Sequence, residues 1–164
     1  ISAFEWQPEV DGFYEGAKYV NPMTQVELRY VNNWDNQEKA LDFYEELNEL
    51  GVDVYYPTGD NFHLPVIERI KENNQYAIGY ISDQIELGES TILTSTVQHV
   101  DKLYLNVALL IREGLLTSHK LEFDFQDGAI SLGTFSDEVP ANIQESIKNA
   151  VKEYIETGKL PNEK

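Results

Sequence analysis

Cysteine is absent from all 164 residues, and methionine occurs once. Without thiols there are no disulfides and no thiolate metal sites, although the compartment stays open because many extracytoplasmic proteins also lack cysteine. Basic residues are scarce, 12 Lys and Arg against 29 Asp and Glu, giving a net charge of −17. Such a surface repels phosphate backbones, so no direct nucleic-acid binding is expected of this segment. No apolar run approaches the ~20 residues a membrane span needs, and no signal sequence is visible. Enzyme motifs are missing too: there is no G-x-S-x-G elbow, no phosphate-binding P-loop and no G-x-G-x-x-G after a strand. His63, His99 and His119 are far apart and lack the i,i+4 pairing of a helical metal site. No pair of carboxylates stands out as an acid/base couple, so neither an enzyme nor a metal or cofactor site is expected.

What is present is a chain able to build a core. Hydrophobic residues make up 41% and aromatics 12%, with ten Tyr and two Trp. That favours one folded domain, read as spanning 1–164. Strand-like and helix-like segments alternate. ISAF opens as a strand, which suggests a processed chain or a piece of a longer one. PEVDGFYEGAKYV puts Val10, Phe13, Ala17 and Val20 on one helical face. VELRYV reads as a strand. DNQEKALDFYEELNELG reads as a helix opened by Asp35 with Glu38 and closed by Gly51.

VDVYYP, YAIGYI and TILTSTV are further strands, and PVIERIKEN is a helix with Pro65 in its first turn. Val100 to Ile111 hold helical spacing up to Gly114, and LEFDFQDGAISLGTF resembles a hairpin turning at Asp127-Gly128. A last helix carries Ile143, Ile147, Val151 and Tyr154 and ends near Gly158. Repeated strand–helix units imply an α/β fold, a three-layer, mostly parallel sheet with an antiparallel hairpin at one edge.

Polar and aromatic groups follow the predicted strands: Glu5-Trp6-Gln7, Asn32-Asn33-Trp34, Thr58-Gly59-Asp60-Asn61 and Ile81-Ser82-Asp83. In a parallel sheet these gather at the carboxyl edge, where small molecules bind. Each alone is equally an ordinary turn, with Trp34 covering a helix and Asp83 capping a turn.

The blocks DGFYEGAKYVNP, GVDVYYPTGD, YAIGYISDQ, ILTSTVQHVDK and GTFSDEVPANIQESI resemble, in order, the C-terminal half of the basic membrane protein family, the PnrA-like lipoproteins. WQPEVDGF, WDNQ and LTSTVQHVDK resemble more particularly a branch described as positive regulators of competence gene expression. The resemblance implies the C-terminal lobe of a type I periplasmic-binding-protein-like fold, two lobes closing on a purine nucleoside. It also implies, as partners, an N-terminal lobe of the same parent chain and a membrane reached only through an anchor absent here.

On this resemblance Trp34 stands where an aromatic ring stacks on the base. Gly59 keeps one glycine of an A-G-G loop, and Asp60 adds a carboxylate beside Asn61. The family's G-V-D-x-D-Q reads Gly79-Tyr80-Ile81-Ser82-Asp83-Gln84, with Ile81 in place of the ligand carboxylate and Asp83 in the second, structural-looking position. The T-S-V-V-K block ends in Gln98 instead of Lys. Two charged contacts, each worth ~1.5–3 kcal/mol, are replaced together, which would weaken nucleoside binding by about a hundredfold or more. The expectation is a non-enzymatic regulatory binding protein with an altered small-molecule cleft; the alternative is a purine-nucleoside-binding lipoprotein of an ABC transporter.

Overall fold

A computed structural model describes residues 6–118 and 121–163. ISAF, Glu5 and His119 therefore lie outside the described residues. The chain divides into two compact units, residues 1–75 and 76–164.

The first unit contains α1 (Gln7–Val20), α2 (Gln37–Glu49), β1 (Val54–Tyr55) and α3 (His63–Glu72). Pro8 sits in the first turn of α1, where its missing N–H costs nothing. The cap of α2 differs from expectation. Asn36, not Asp35, closes the first turn, its Oδ1 accepting from the Lys39 N–H at 3.0 Å. Both residue types can cap, but the chain turns one residue later than the Asp35/Glu38 spacing suggests. At the other end Gly51 adopts φ 82°. There its N–H reaches Asn48 O and the Val52 N–H reaches Leu47 O, a left-handed stop that suits glycine.

Ala40 and Tyr44 of α2 and Val66, Ile67 and Ile70 of α3 are buried and form this unit's core. A polar node anchors it. The Tyr44 hydroxyl donates to Gln75 Oε1 at 2.7 Å, Asn73 Nδ2 donates to the same hydroxyl, and Gln75 Nε2 reaches Asn48 Oδ1 and Val52 O. Satisfied polar groups of this kind fix a unique packing instead of opposing it.

VELRYV does not form a strand. Residues 25–31 take no regular secondary structure, and none of their backbone N–H groups donates to another described residue. Alternation and β-branching describe a side chain's preference for a pleated surface, but a strand exists only where a neighbour closes the ladder.

The second unit contains β2 (Tyr76–Gly79), β3 (Ile92–Gln98), α4 (Val100–Arg112), β4 (Ile130–Leu132) and α5 (Ala141–Thr157). β2 and β3 run parallel, with Ile78 opposite Thr94 and Gly79 opposite Ser95. β4 pairs antiparallel with β3, with Val97 opposite Ser131. The expected hairpin is thus corrected: Leu121 to Phe125 form no strand, and the partner of β4 is β3. Asp127-Gly128 do turn, with Gly128 at φ 70°, but the Asp124 carbonyl accepts from the Ala129 and Ile130 N–H groups and closes a tight loop instead of a ladder. α5 ends at Gly158, φ 69°, whose N–H reaches Tyr154 O at 2.7 Å. No helix of the described residues is long and apolar enough to cross a membrane.

Candidate functional site

The second unit gathers its candidate residues where β2 and β3 end. β2 stops at Gly79, and the chain then makes a three-residue turn: the Ser82 N–H donates to Tyr80 O at 2.8 Å while Ile81 takes φ 68°. This is a γ-turn with positive φ, an arrangement that is rare and strained, most of all for a β-branched residue. The turn is held from outside. The Gln98 N–H, at the end of β3, donates to the Ile81 carbonyl at 2.8 Å. Ile81 and Gln98, the two positions singled out in the sequence, are therefore direct neighbours. The Ile81 side chain stays 36% exposed, an apolar group held at the surface by its own backbone.

Asp83 has a different position. Its Oδ2 accepts from the Thr134 N–H at 2.8 Å and from the Thr134 hydroxyl at 2.6 Å, and Oδ1 accepts from the Ile85 N–H at 3.4 Å. Partial burial pulls its pKa upward, but the Thr134 and Ile85 hydrogen bonds outweigh this and hold it below the usual carboxylate value. One carboxylate thus clamps the turn after β2 to the segment after β4. Behind it the packing is tight. A Cβ on Gly79 would lie 2.2 Å from Ser95 Oγ, and one on Gly133 would lie 2.8 Å from Asp83 Oδ1. Ser95 is fully buried and accepts from the Gln84 N–H at 3.0 Å, and the Gln84 side chain accepts from the Tyr80 N–H at 3.2 Å. Nothing local in the sequence ties Ser95, Gly133 or Thr134 to Asp83.

In the first unit the structure brings Trp34, Gly59 and Asn61 together. The Asn61 N–H donates to the Trp34 carbonyl at 3.4 Å, and Asn61 Nδ2 donates to Asp35 Oδ1 at 2.6 Å. Trp34 meets Trp6 edge-on, ring centroids 5.6 Å apart. Gly59 is buried beneath Phe62, whose ring would be 2.2 Å from any added Cβ. Close packing is thus reason enough for a glycine here. Asp60 is exposed on the same loop. A groove of about 1000 Å³ also opens in this unit, lined by α1, residues 24–31, α2 and 50–58. Phe13 stacks on Tyr56 at 5.6 Å inside it, and the Tyr56 hydroxyl donates to Glu9. Burial raises the Glu9 pKa above its ordinary value, partly offset by that bond.

His99 is half-buried, its Nε2 2.8 Å from Ser131 Oγ. Among the described residues, no hydrogen bond to a third side chain orients this pair as a nucleophile's base would be.

Residues 1–164 match the Bmp family, described as ABC transporter substrate-binding protein PnrA-like. The chain belongs to the Bmp family. It is 45% identical over 161 residues to the transcriptional activator protein Med of Bacillus subtilis, covering 98% of this chain and 51% of that protein. It is 25% identical to a purine-binding protein of Brucella abortus, covering 92% of this chain and 42% of the other. A crystal structure of a transcriptional activator of the comK gene from Bacillus halodurans shares 52% identity with a TM-score of 0.85. The match covers 97% of this chain and 56% of that one. A solute-binding protein of an Aeropyrum pernix ABC transporter system, 23% identical, covers 92% of this chain and 40% of its own, and shares the fold at a TM-score of 0.61. The chain spans about half the length of the curated relatives it matches. The α/β reading and the family resemblance both hold.

Proposed function

We propose that this chain is the C-terminal lobe of a Med-like regulatory binding protein of the Bmp family, non-enzymatic, whose cleft no longer takes a purine nucleoside in the family's manner. In this reading the parent is anchored outside the membrane and acts on competence transcription indirectly, because a segment of charge −17 has no affinity for DNA. The observation that carries it is the pairing of Ile81 with Gln98. The resemblance puts a ligand-binding carboxylate and a ligand-binding ammonium at these two positions, and here they are an apolar side chain and a neutral amide joined by one backbone bond. Replacing both charges leaves no lone charge to desolvate, so the scaffold keeps its stability while its old specificity is lost.

Trp34 and the similarity to a purine-binding relative favour a second reading, a nucleoside-binding component of an ABC transporter. Calorimetry on the full-length protein with adenosine, guanosine and inosine separates the two. No heat with the native protein, and binding regained in the Ile81→Asp/Gln98→Lys double variant, is the outcome expected of the regulator. Micromolar binding by the unchanged protein overturns it in favour of the transporter component.

A further inference from the structure

In the second unit a cavity of about 640 Å³ lies between β4 and α5, within the size range of small-molecule sites. It opens because the helix does not close on the strand: none of the 17 residues of α5 is buried, and β4 is only half-buried throughout. Gln144 Nε2 donates to Ser136 O beyond β4, and Gln126 Nε2, ahead of β4, donates to Ile155 O, so the helix runs back along the strand. Phe125, Ile130, Leu132, Phe135, Val151 and Ile155 make the walls apolar. The charge of the lining is unlike that of the molecule. Among the described residues no Asp or Glu lines the cavity, whereas two of the 12 basic residues do, Lys102 and Lys148. Neither has an ion-pair partner among the described residues. Asp124, on the adjoining loop, is already engaged, accepting from the Tyr154 hydroxyl and the Gln126 N–H. The two lysines stand at opposite ends. Lys102 Nζ lies 3.5 Å from the position of a Cβ on Gly128, ahead of β4, and Lys148 Nζ lies 5.4 Å from the centre of the Phe135 ring, beyond it.

We propose that this cavity binds an elongated dicarboxylate, one carboxylate at each lysine and an apolar middle against Leu132, Val151 and Ile155. Three features select this class. Unpaired cations at both ends of an apolar trough match a molecule charged at both ends and apolar between them. One ammonium balances one carboxylate, whereas a phosphate monoester carries nearly two charges at neutral pH. Length is the third: Lys148 and Ile155 are about 10 Å apart along the helix axis. A short diacid such as succinate reaches only one of the lysines. The occupant supplies the apolar contacts that α5 and β4 do not make with each other. The rest of the surface, at net charge −17, repels a dianion, so uptake depends on these two side chains. Neither Ile81 nor Gln98 lines the cavity, so the site stands whatever the altered strand ends bind.

Amide NMR titration of the intact 164-residue chain with sebacate, a straight-chain dicarboxylate of about this length, tests the assignment. Saturable shifts are expected at Ser131, Leu132, Phe135 and Val151. Decanoate, with the same chain and one carboxylate, should bind about tenfold more weakly, and the corresponding uncharged diol should give no saturable shift there. Lys102→Gln and Lys148→Gln should each weaken sebacate binding by about tenfold, to the level of decanoate. Lys148→Arg keeps the charge and should bind as the unchanged chain does. Both lysines are exposed, so an unchanged melting temperature in these variants separates lost binding from lost folding. The comparison of the three probes on the unchanged chain needs no variant at all. No saturable shift with sebacate, equal affinity for the diol, or binding indifferent to both Lys→Gln changes overturns the proposal. Decanoate bound as tightly as sebacate would mean a site for a single anion, and overturns it equally.

Discussion

Ile81 is the residue at which backbone and chemistry disagree. Its φ of 68° lies where a β-branched side chain is least tolerated, and its apolar side chain is exposed. Conformations of this kind cost of order 1–3 kcal/mol and persist only where neighbours impose them, as the Gln98 N–H does here. Ile81→Asn, which tolerates positive φ at a position 36% exposed, is therefore expected to stabilise the chain by about 1 kcal/mol in urea unfolding. A loss of stability would show that the Ile81 side chain packs against something that its exposure hides. Asp83, two residues on, has the opposite character. Its pKa is lower folded than unfolded, so the unfolded state binds the extra proton and the contribution is fully present above the unfolded value of about 3.9. It is lost as pH falls through the lower folded value. The gap in urea midpoint between the native chain and Asp83→Asn should hence be constant from pH 7 to 5 and close below pH 4. Which of the two carboxylate positions would bind and which would brace was legible only through the resemblance. The partner that makes Asp83 a brace, Thr134, is 51 residues away.

At the scale of the element, what the sequence disclosed was whatever local spacing dictates. The helical stripes of α2 and α3 and the apolar runs of β2 and β3 are periodic over enough residues to declare themselves. What it hid was pairing. VELRYV has a strand's composition without a ladder among the described residues, and the 121–125 run lost its expected partner to β3, because ladders are decided by distant backbone and not by propensity. Gly79 belongs with the hidden features: nothing in YAIGYI says that its glycine faces the buried Ser95 hydroxyl of the adjacent strand at a distance no Cβ can occupy. Gly79→Ala should cost about 2–3 kcal/mol through overpacking, read as a lower urea midpoint with unchanged slope. Combining it with Ser95→Gly removes the two closest obstructing atoms, Ser95 Oγ and Cβ, leaving Gln84 Cβ at 3.0 Å. The double variant should then lose less than the two single changes summed, and strict additivity would mean that the two sites do not meet.

For the whole molecule the governing quantity is charge. Several of its few cations are already bound to near neighbours, Arg29 to Glu27 and Glu46, Arg69 to Glu45 and Glu72, and Lys152 weakly to Glu156. These exposed pairs contribute little individually and lose little when salt is added. The remaining excess of carboxylates repels over longer distances, and that repulsion is what salt removes: between 0.01 and 0.1 M the screening length falls from about 30 to about 10 Å. The two effects oppose each other, and with 29 acidic residues against 12 basic ones the repulsion is the larger. Raising NaCl across that range is expected to increase the melting temperature by about 2–4 °C, equivalent to roughly 1 kcal/mol for a chain of this size. A fall would show that the local pairs outweigh the net charge. If the chain bound DNA, added salt would weaken the complex steeply through counterion release. A mobility-shift titration at 0.05 M salt, the condition most favourable to binding, should show none. Excess negative charge on such a surface selects basic partners and rejects nucleic acid.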